Sequence, residues 1–145
     1  MIRQARKEDL DSLVALETTS FQFDRFHRRQ LLYLMTRAKG AMLVYEKDTH
    51  VAGMIILTWR QNSNAGRILS IAVQPEFQSH GIGGQLLKSA ESRARAKLLT
   101  RMRLEVRADN TQAVAFYEHH SYYRVAALPA YYWDGSDGVR YEKTL

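Results

Sequence analysis

Three glycines in four residues, Gly81, Gly83 and Gly84, follow the apolar run Ile71-Ala72-Val73 and Pro75, and they precede an amphipathic segment. A strand that passes through a turn into a helix aims the free N–H groups of the helix N-terminus at one point, where the helix dipole favours negative charge. Glycine keeps side chains from holding an oxyanion off that backbone. The chemistry expected of Gln78-Ser79-His80-Gly81-Ile82-Gly83-Gly84 is therefore phosphate binding. No Gly-x-Gly-x-x-Gly with a following ribose acid is present, and no Gly-Lys-Ser/Thr closes the loop, so neither a dinucleotide fingerprint nor a P-loop fits. Glu105 sits on the polar side of an alternating segment, and Tyr117 follows Asn110 at a spacing of two helical turns, on one helix face.

These residues need elements to hold them. Ile2–Arg6 reads as a first strand, and Asp9 or Asp11 as the cap of a helix through Leu10, Leu13, Val14 and Leu16. A second helix is expected from Arg28 to Ala38, with Gly40 as its stop. Ala41–Glu46 and Val51–Trp59 read as a hairpin over a polar turn, and Arg67–Val73 as the next strand, ended by Pro75. The longest helix is expected from Gly83 to Leu98. Leu86, Leu87, Ala90, Ala94 and Leu98 form its buried stripe, and Lys88, Glu91, Arg95 and Lys97 its polar face. Arg101–Arg107 alternates strictly as a strand. Asp109 or Asn110 caps a last helix, and Tyr122–Ala127 and Val139–Leu145 close the sheet around an aromatic loop. The order β-α-α-β-β-β-α-β-α-β-β predicts one α/β domain over residues 1–145, a mixed sheet with helices on both faces.

Gln78-Ser-His-Gly-Ile-Gly83, preceded by Ile71-Ala-Val-x-Pro75, resembles the Gln/Arg-x-x-Gly-x-Gly/Ala signature of the GNAT superfamily of N-acetyltransferases. Leu104-Glu-Val-Arg-Ala-Asp-Asn-Thr-Gln-Ala-Val-Ala-Phe-Tyr-Glu118 resembles its second block. Within the superfamily the chain is most similar to the bacterial ribosomal-protein alanine N-acetyltransferases. The resemblance implies acetyl-coenzyme A as donor, with no metal. Main-chain groups of Ile71, Ala72 and Val73 would pair with the pantetheine arm like an added strand. Gln78 and the backbone from Ser79 through Gly84 would hold the pyrophosphate, with His80 beside it and Asn110 touching the cofactor. It implies Glu105 as general base, direct or through water, and Tyr117 as general acid, with a backbone N–H such as that of Val73 for the oxyanion. Burial would raise the Glu105 pKa toward the working range. The other reading of Glu105 is a surface residue paired with Arg103 or Arg107.

Three departures stand out. Ser121 replaces a glycine at the end of the last helix, where left-handed geometry is needed. Phe21-Gln-Phe-Asp-Arg-Phe-His27 replaces the usual Phe-x-x-Pro-Trp-Ser, so acceptor preference does not carry over. Trp133 follows the aromatic pair Tyr131-Tyr132 where proline is usual; that pair either walls an acceptor slot or packs its loop.

The chain carries 21 Lys and Arg against 15 Asp and Glu, a net charge of +6. That balance suits an anionic ligand, and it argues against the acidic cleft that a polycationic acceptor would want. No aromatic platform interleaved with basic residues suggests nucleic acid. With no cysteine there is no thiol nucleophile or disulfide, and the five histidines show no metal spacing; His119-His120 reads as a partly exposed helix end. No signal core or membrane-length apolar run occurs, so a cytoplasmic protein is expected. The leading expectation is acetyl transfer to a protein or peptide N-terminus. A small-molecule amine acetyltransferase and a noncatalytic acyl-coenzyme A module are the alternatives.

Overall fold

Alternating apolar residues make the strands, and their turns fix the register. In a computed structural model describing residues 1–145, β1 (Ile2–Gln4) pairs with β2 (Gly40–Lys47), which forms a hairpin with β3 (His50–Trp59). Asp48 and Thr49 both take positive φ, 51° and 67°, as a two-residue hairpin requires. β4 (Ala65–Val73) runs antiparallel to β3, and α3 (Ile82–Ala96) carries the chain over to β5 (Arg101–Arg107), parallel to β4. After α4 (Thr111–His119), β6 (Tyr123–Leu128) and β7 (Gly138–Thr144) complete a seven-stranded sheet of order β1-β2-β3-β4-β5-β7-β6.

The central strands β2, β3 and β4 feed two cores, because successive side chains point to opposite faces. On one face α1 (Leu10–Ser20) and α2 (Arg28–Thr36) bury Leu13, Leu16 and Leu31 against Met42, Val44, Met54 and Ile56. On the other, α3 brings Leu86, Leu87 and Ala90 against Leu43, Ile55, Leu57 and Leu104, with Tyr117 of α4 in the same cluster. The sequence expectation of helices on both faces holds.

Four local expectations are corrected. Leu98 is 85% exposed, because α3 ends at Ala96 and Leu98 turns through φ 62°, delivering Leu99 to the core instead. Glu91 is only 4% exposed: Tyr122 Oη donates to it at 2.8 Å and Lys143 Nζ lies 3.1 Å away, so partners from outside the helix offset its burial. Gly40 does not stop α2 but opens β2, where a Cβ would collide with the Leu57 carbonyl across the hairpin. Asp9 makes no side-chain cap to α1. It accepts from Arg6 N at 2.8 Å and pairs with Arg3 at 2.8 Å, tying β1 to the turn before α1.

The feature that makes a site is where the sheet fails to close. β4 and β5 pair only through Ala65–Arg67 and Arg101–Arg103. Beyond that, β4 stays on β3 to Val73 while β5 stays on β7 to Arg107. The register slips at the same level: Ile56 faces Ser70 but Leu57 faces Ile68, so Leu69 is an extra residue on β4. Such a bulge bends its strand, and here it bends β4 where the gap begins.

Candidate active site

The gap leaves half of β4 with a free edge. Gln74 N–H donates to Ala52 O at 2.8 Å, and by the alternation of an antiparallel ladder Ala72 turns its amide to β3 as well. The main-chain groups of Ile71 and Val73 then face the gap, where Val73 O accepts only the Gln78 Nε2 proton, at 3.2 Å. Of the three residues expected to lend backbone to an extended ligand, Ala72 is thus spent on the sheet. It lines the cleft without offering its amide.

At the end of this edge lies the glycine turn. Ser79 and Gly81 take φ of 70° and 76°, and none of the N–H groups from Ser79 through Gly84 has a partner within the protein. The first that does is Gln85, bonded to Gly81 O at 3.1 Å. Successive unpaired N–H groups around left-handed residues make a concave anion seat, reinforced by the helix dipole of α3. The glycines divide the work differently from the sequence expectation. Gly81 is needed for its φ and faces open space. A Cβ on Gly83 would lie 3.2 Å from the Phe116 ring, and one on Gly84 3.0 Å from the His120 ring, so these two admit the rings of Phe116 in α4 and of His120 just past its end. Burial, then the charges of His119 and Lys143, hold the His120 pKa low. His80 turns its ring edge-on to Phe77 and is not among the cleft-lining residues.

A cleft of about 830 Å³ runs from this turn through the gap to Ile68, Glu105, Asn110 and Tyr117. A second, of about 340 Å³, opens beyond them between Phe21–Phe26 and Tyr131–Tyr132. The two share Phe21, Leu69, Glu105, Val106 and Asn110 among their walls. Tyr117 is buried against Phe116 and Tyr122, and desolvation pushes its pKa well up, keeping the hydroxyl protonated. Asn110 caps α4, its Oδ1 accepting from Ala113 N at 3.1 Å while its side chain also borders both clefts.

Glu105 departs from expectation in its electrostatics. Burial alone would raise its pKa. Arg140 Nε, donating to Oε2 at 2.9 Å, and Arg67, donating to Oε1 at 2.9 Å, outweigh that and hold it below the ordinary carboxylate range. Neither partner is Arg103 or Arg107. Both partners come from adjacent strands: Arg140 lies directly across from Glu105 on β7, and Arg67 reaches it diagonally from β4, where it stands opposite Arg103.

Sequence reasoning also missed the residue that frames the second cleft. Arg107 pairs with Asp24 at 2.6 Å and with Asp134 at 3.0 Å, and its guanidinium stacks 5.0 Å from the Phe23 ring centroid and 4.5 Å from that of Tyr132. One side chain thus joins the α1–α2 loop to the β6–β7 loop. Glu17, buried in α1, accepts from Phe26 N and Ser70 Oγ, both at 2.7 Å, and fixes the same α1–α2 loop to β4. These contacts span 83, 27, 9 and 53 residues, beyond the reach of any local pattern.

A free strand edge leading into an anion seat suits a long, extended, pyrophosphate-bearing ligand. Residues 4–122 match the model of the acetyltransferase (GNAT) family. The chain belongs to that family. With the membership comes the enzyme class: this GNAT protein is an acetyl-coenzyme A-dependent N-acetyltransferase. It is 30% identical over 140 residues to a Bacillus subtilis protein named for [ribosomal protein bS18]-alanine N-acetyltransferase activity, covering 94% of this chain and 89% of the relative. It is 27% identical over 155 residues to an N-alpha-acetyltransferase of Saccharolobus solfataricus, covering 99% and 92%. Among solved structures it resembles Ard1 from Thermoplasma volcanium, with a TM-score of 0.89 and 28% identity over 100% of this chain and 97% of the other. The residues present fit the donor: six unpaired N–H groups for the pyrophosphate, and the Ile71 and Val73 backbone for the arm. No group of three or more His, Asp or Glu side chains of this GNAT chain could hold a metal ion, and no helix is long and apolar enough to cross a membrane.

Proposed function

We propose that the protein acetylates the N-terminal α-amine of a polypeptide, by direct attack on the acetyl thioester. The observation that carries this reading is the meeting of two clefts at Glu105, one suited to the donor and the other open to an acceptor. The names of the relatives, which refer to protein α-amines and ribosomal-protein alanine, support the same acceptor class. The donor supplies an acyl group on a thiolate leaving group. The amine nitrogen forms a bond to the carbonyl carbon, and the developing oxyanion is received by a backbone donor on the β4 edge, for which Val73 N–H is free. As the C–S bond breaks, the Tyr117 hydroxyl protonates the departing thiolate. Glu105, ionised, draws the proton from the attacking amine, directly or through water. Asn110 and Ser79–Gly84 hold the donor, with Gln78 buttressing the Val73 carbonyl.

The experiment is an acceptor screen with free-thiol detection. Peptides with small N-terminal residues should release coenzyme A, and the same peptides already acetylated at the α-amine should not. Turnover confined to polyamines or other small amines would overturn the polypeptide reading.

A further inference from the structure

The face of the sheet that carries Glu105 is covered by α1 and α2 over β2, β3 and β4, but neither helix packs broadly on β5 or β7. On that open face the strands set arginines side by side. Arg67 of β4 stands opposite Arg103 of β5, and Arg140 of β7 opposite Glu105. Arg101 stands one pleat repeat beyond Arg103, since residues two apart share a face. Like charges directly across a ladder are unfavourable. Only Glu105 and Glu142 answer these four guanidinium groups. Glu105 is shared between Arg67 and Arg140, and Glu142 reaches Arg101 only at 3.9 Å. Arg103 Nε is buried without a partner. Arg67 and Arg101 nevertheless remain 41% and 44% exposed in their side chains. By contrast Arg107, in the slot itself, is matched by two aspartates and adds no free charge.

The surplus begins at the slot and leads away from it along β5. A strand rises about 3.3 Å per residue, so Arg103 lies roughly 7 Å and Arg101 roughly 13 Å from Glu105. An extended polypeptide advances at the same rate, about two and four residues from its amine. We propose that the arginine face of β4, β5 and β7 receives acidic side chains carried by the acceptor polypeptide in the first residues after its acetylated amine. This rests on the polypeptide-acceptor reading above. Carboxylates there would pair with Arg103, which has no partner, and with the partly exposed Arg67 and Arg101, whose one carboxylate is shared or distant, whereas lysines would add to the repulsion.

The test uses the full chain, acetyl-coenzyme A and three peptides that share an N-terminal alanine and differ at positions two to five, bearing glutamates, glutamines or lysines. The glutamate peptide should show a kcat/KM about tenfold above the glutamine peptide at low ionic strength, through a lower acceptor KM, and the lysine peptide should be poorest. Added salt should compress the series. Arg101→Gln, at an exposed strand end, should narrow the preference, and Arg101→Gln with Arg103→Gln should remove most of it, with glutamine-peptide kinetics and acetyl-coenzyme A KM unchanged. Equal rates for the three peptides, a lysine peptide as best acceptor, or a preference untouched by both variants would overturn the proposal while leaving polypeptide acetylation standing. Turnover of small amines with none of the peptides would overturn both.

Discussion

A carboxylate held between two guanidinium groups does not titrate where most enzymes work, and this decides what changing Glu105 should do. Its depressed pKa keeps it ionised throughout the neutral range. In the proposed reaction Glu105→Gln should lower kcat/KM by about a hundredfold or more, as loss of a proton acceptor does. It should do so without moving the acid limb of the pH–rate profile, which belongs to the amine. A displaced limb would assign that titration to Glu105. The sign of its stability contribution also follows. A folded-state pKa below the unfolded value of about 4.3 gives stability that is full above that value and lost as pH falls through the folded one. Acid unfolding of the wild type should therefore steepen below about pH 4, measured by thermal melts, and flatten in Glu105→Gln. Tyr117 is the opposite case, since burial keeps its proton on. Tyr117→Phe should cut kcat about a hundredfold at unchanged acetyl-coenzyme A affinity, read by single turnover and calorimetry; an unchanged rate would remove it as the acid.

Elements meet at joints, and two joints here make claims of their own. Arg107 draws the α1–α2 and β6–β7 loops together over the second cleft. Arg107→Ala should raise the KM of a peptide acceptor about tenfold while sparing that of acetyl-coenzyme A; equal effects on both would mean that it only supports the fold. At the end of α4, Ser121 takes φ 72° and Tyr122 N–H closes back on Tyr117 O at 3.0 Å, a cap that glycine usually completes. Ser121→Gly should stabilise by about 1 kcal/mol in denaturant melts, the order of the left-handed penalty. The strain was legible in the sequence from the missing glycine. So were the strands, from alternation such as Met102, Leu104 and Val106, and the anion seat, from its glycines. Leu98 was not, because helical periodicity does not show that α3 stops two residues before it. Nor were Glu91 and Gly40, because each is decided by a distant element, Lys143 and Tyr122 for one and the Leu57 carbonyl for the other. The partners of Glu105 were hidden for the same reason, arriving from strands 38 and 35 residues away.

At the scale of the molecule, the sheet is two half-sheets joined by three residue pairs and the crossing of α3. A donor seated between them binds only the folded form. It should stabilise the protein by about 2.7 kcal/mol at a hundred times its Kd, seen as a concentration-dependent rise in Tm. In hydrogen exchange the amides of Ile71 and Val73 should slow when acetyl-coenzyme A is added, and unchanged exchange there would argue against strand-like docking. The same opening bears on solubility. Unpaired strand edges invite other chains to add to the sheet, and proteins blunt them with charge, bulges or cover. Here the vacant edge of β4 lies inside the sheet, between α3 and α4 on one face and the end of α1 on the other. A foreign strand arriving with its own neighbours would have no way in, while a single slender arm can slide along it. The molecule can thus keep an incomplete ladder permanently open without becoming a template for aggregation.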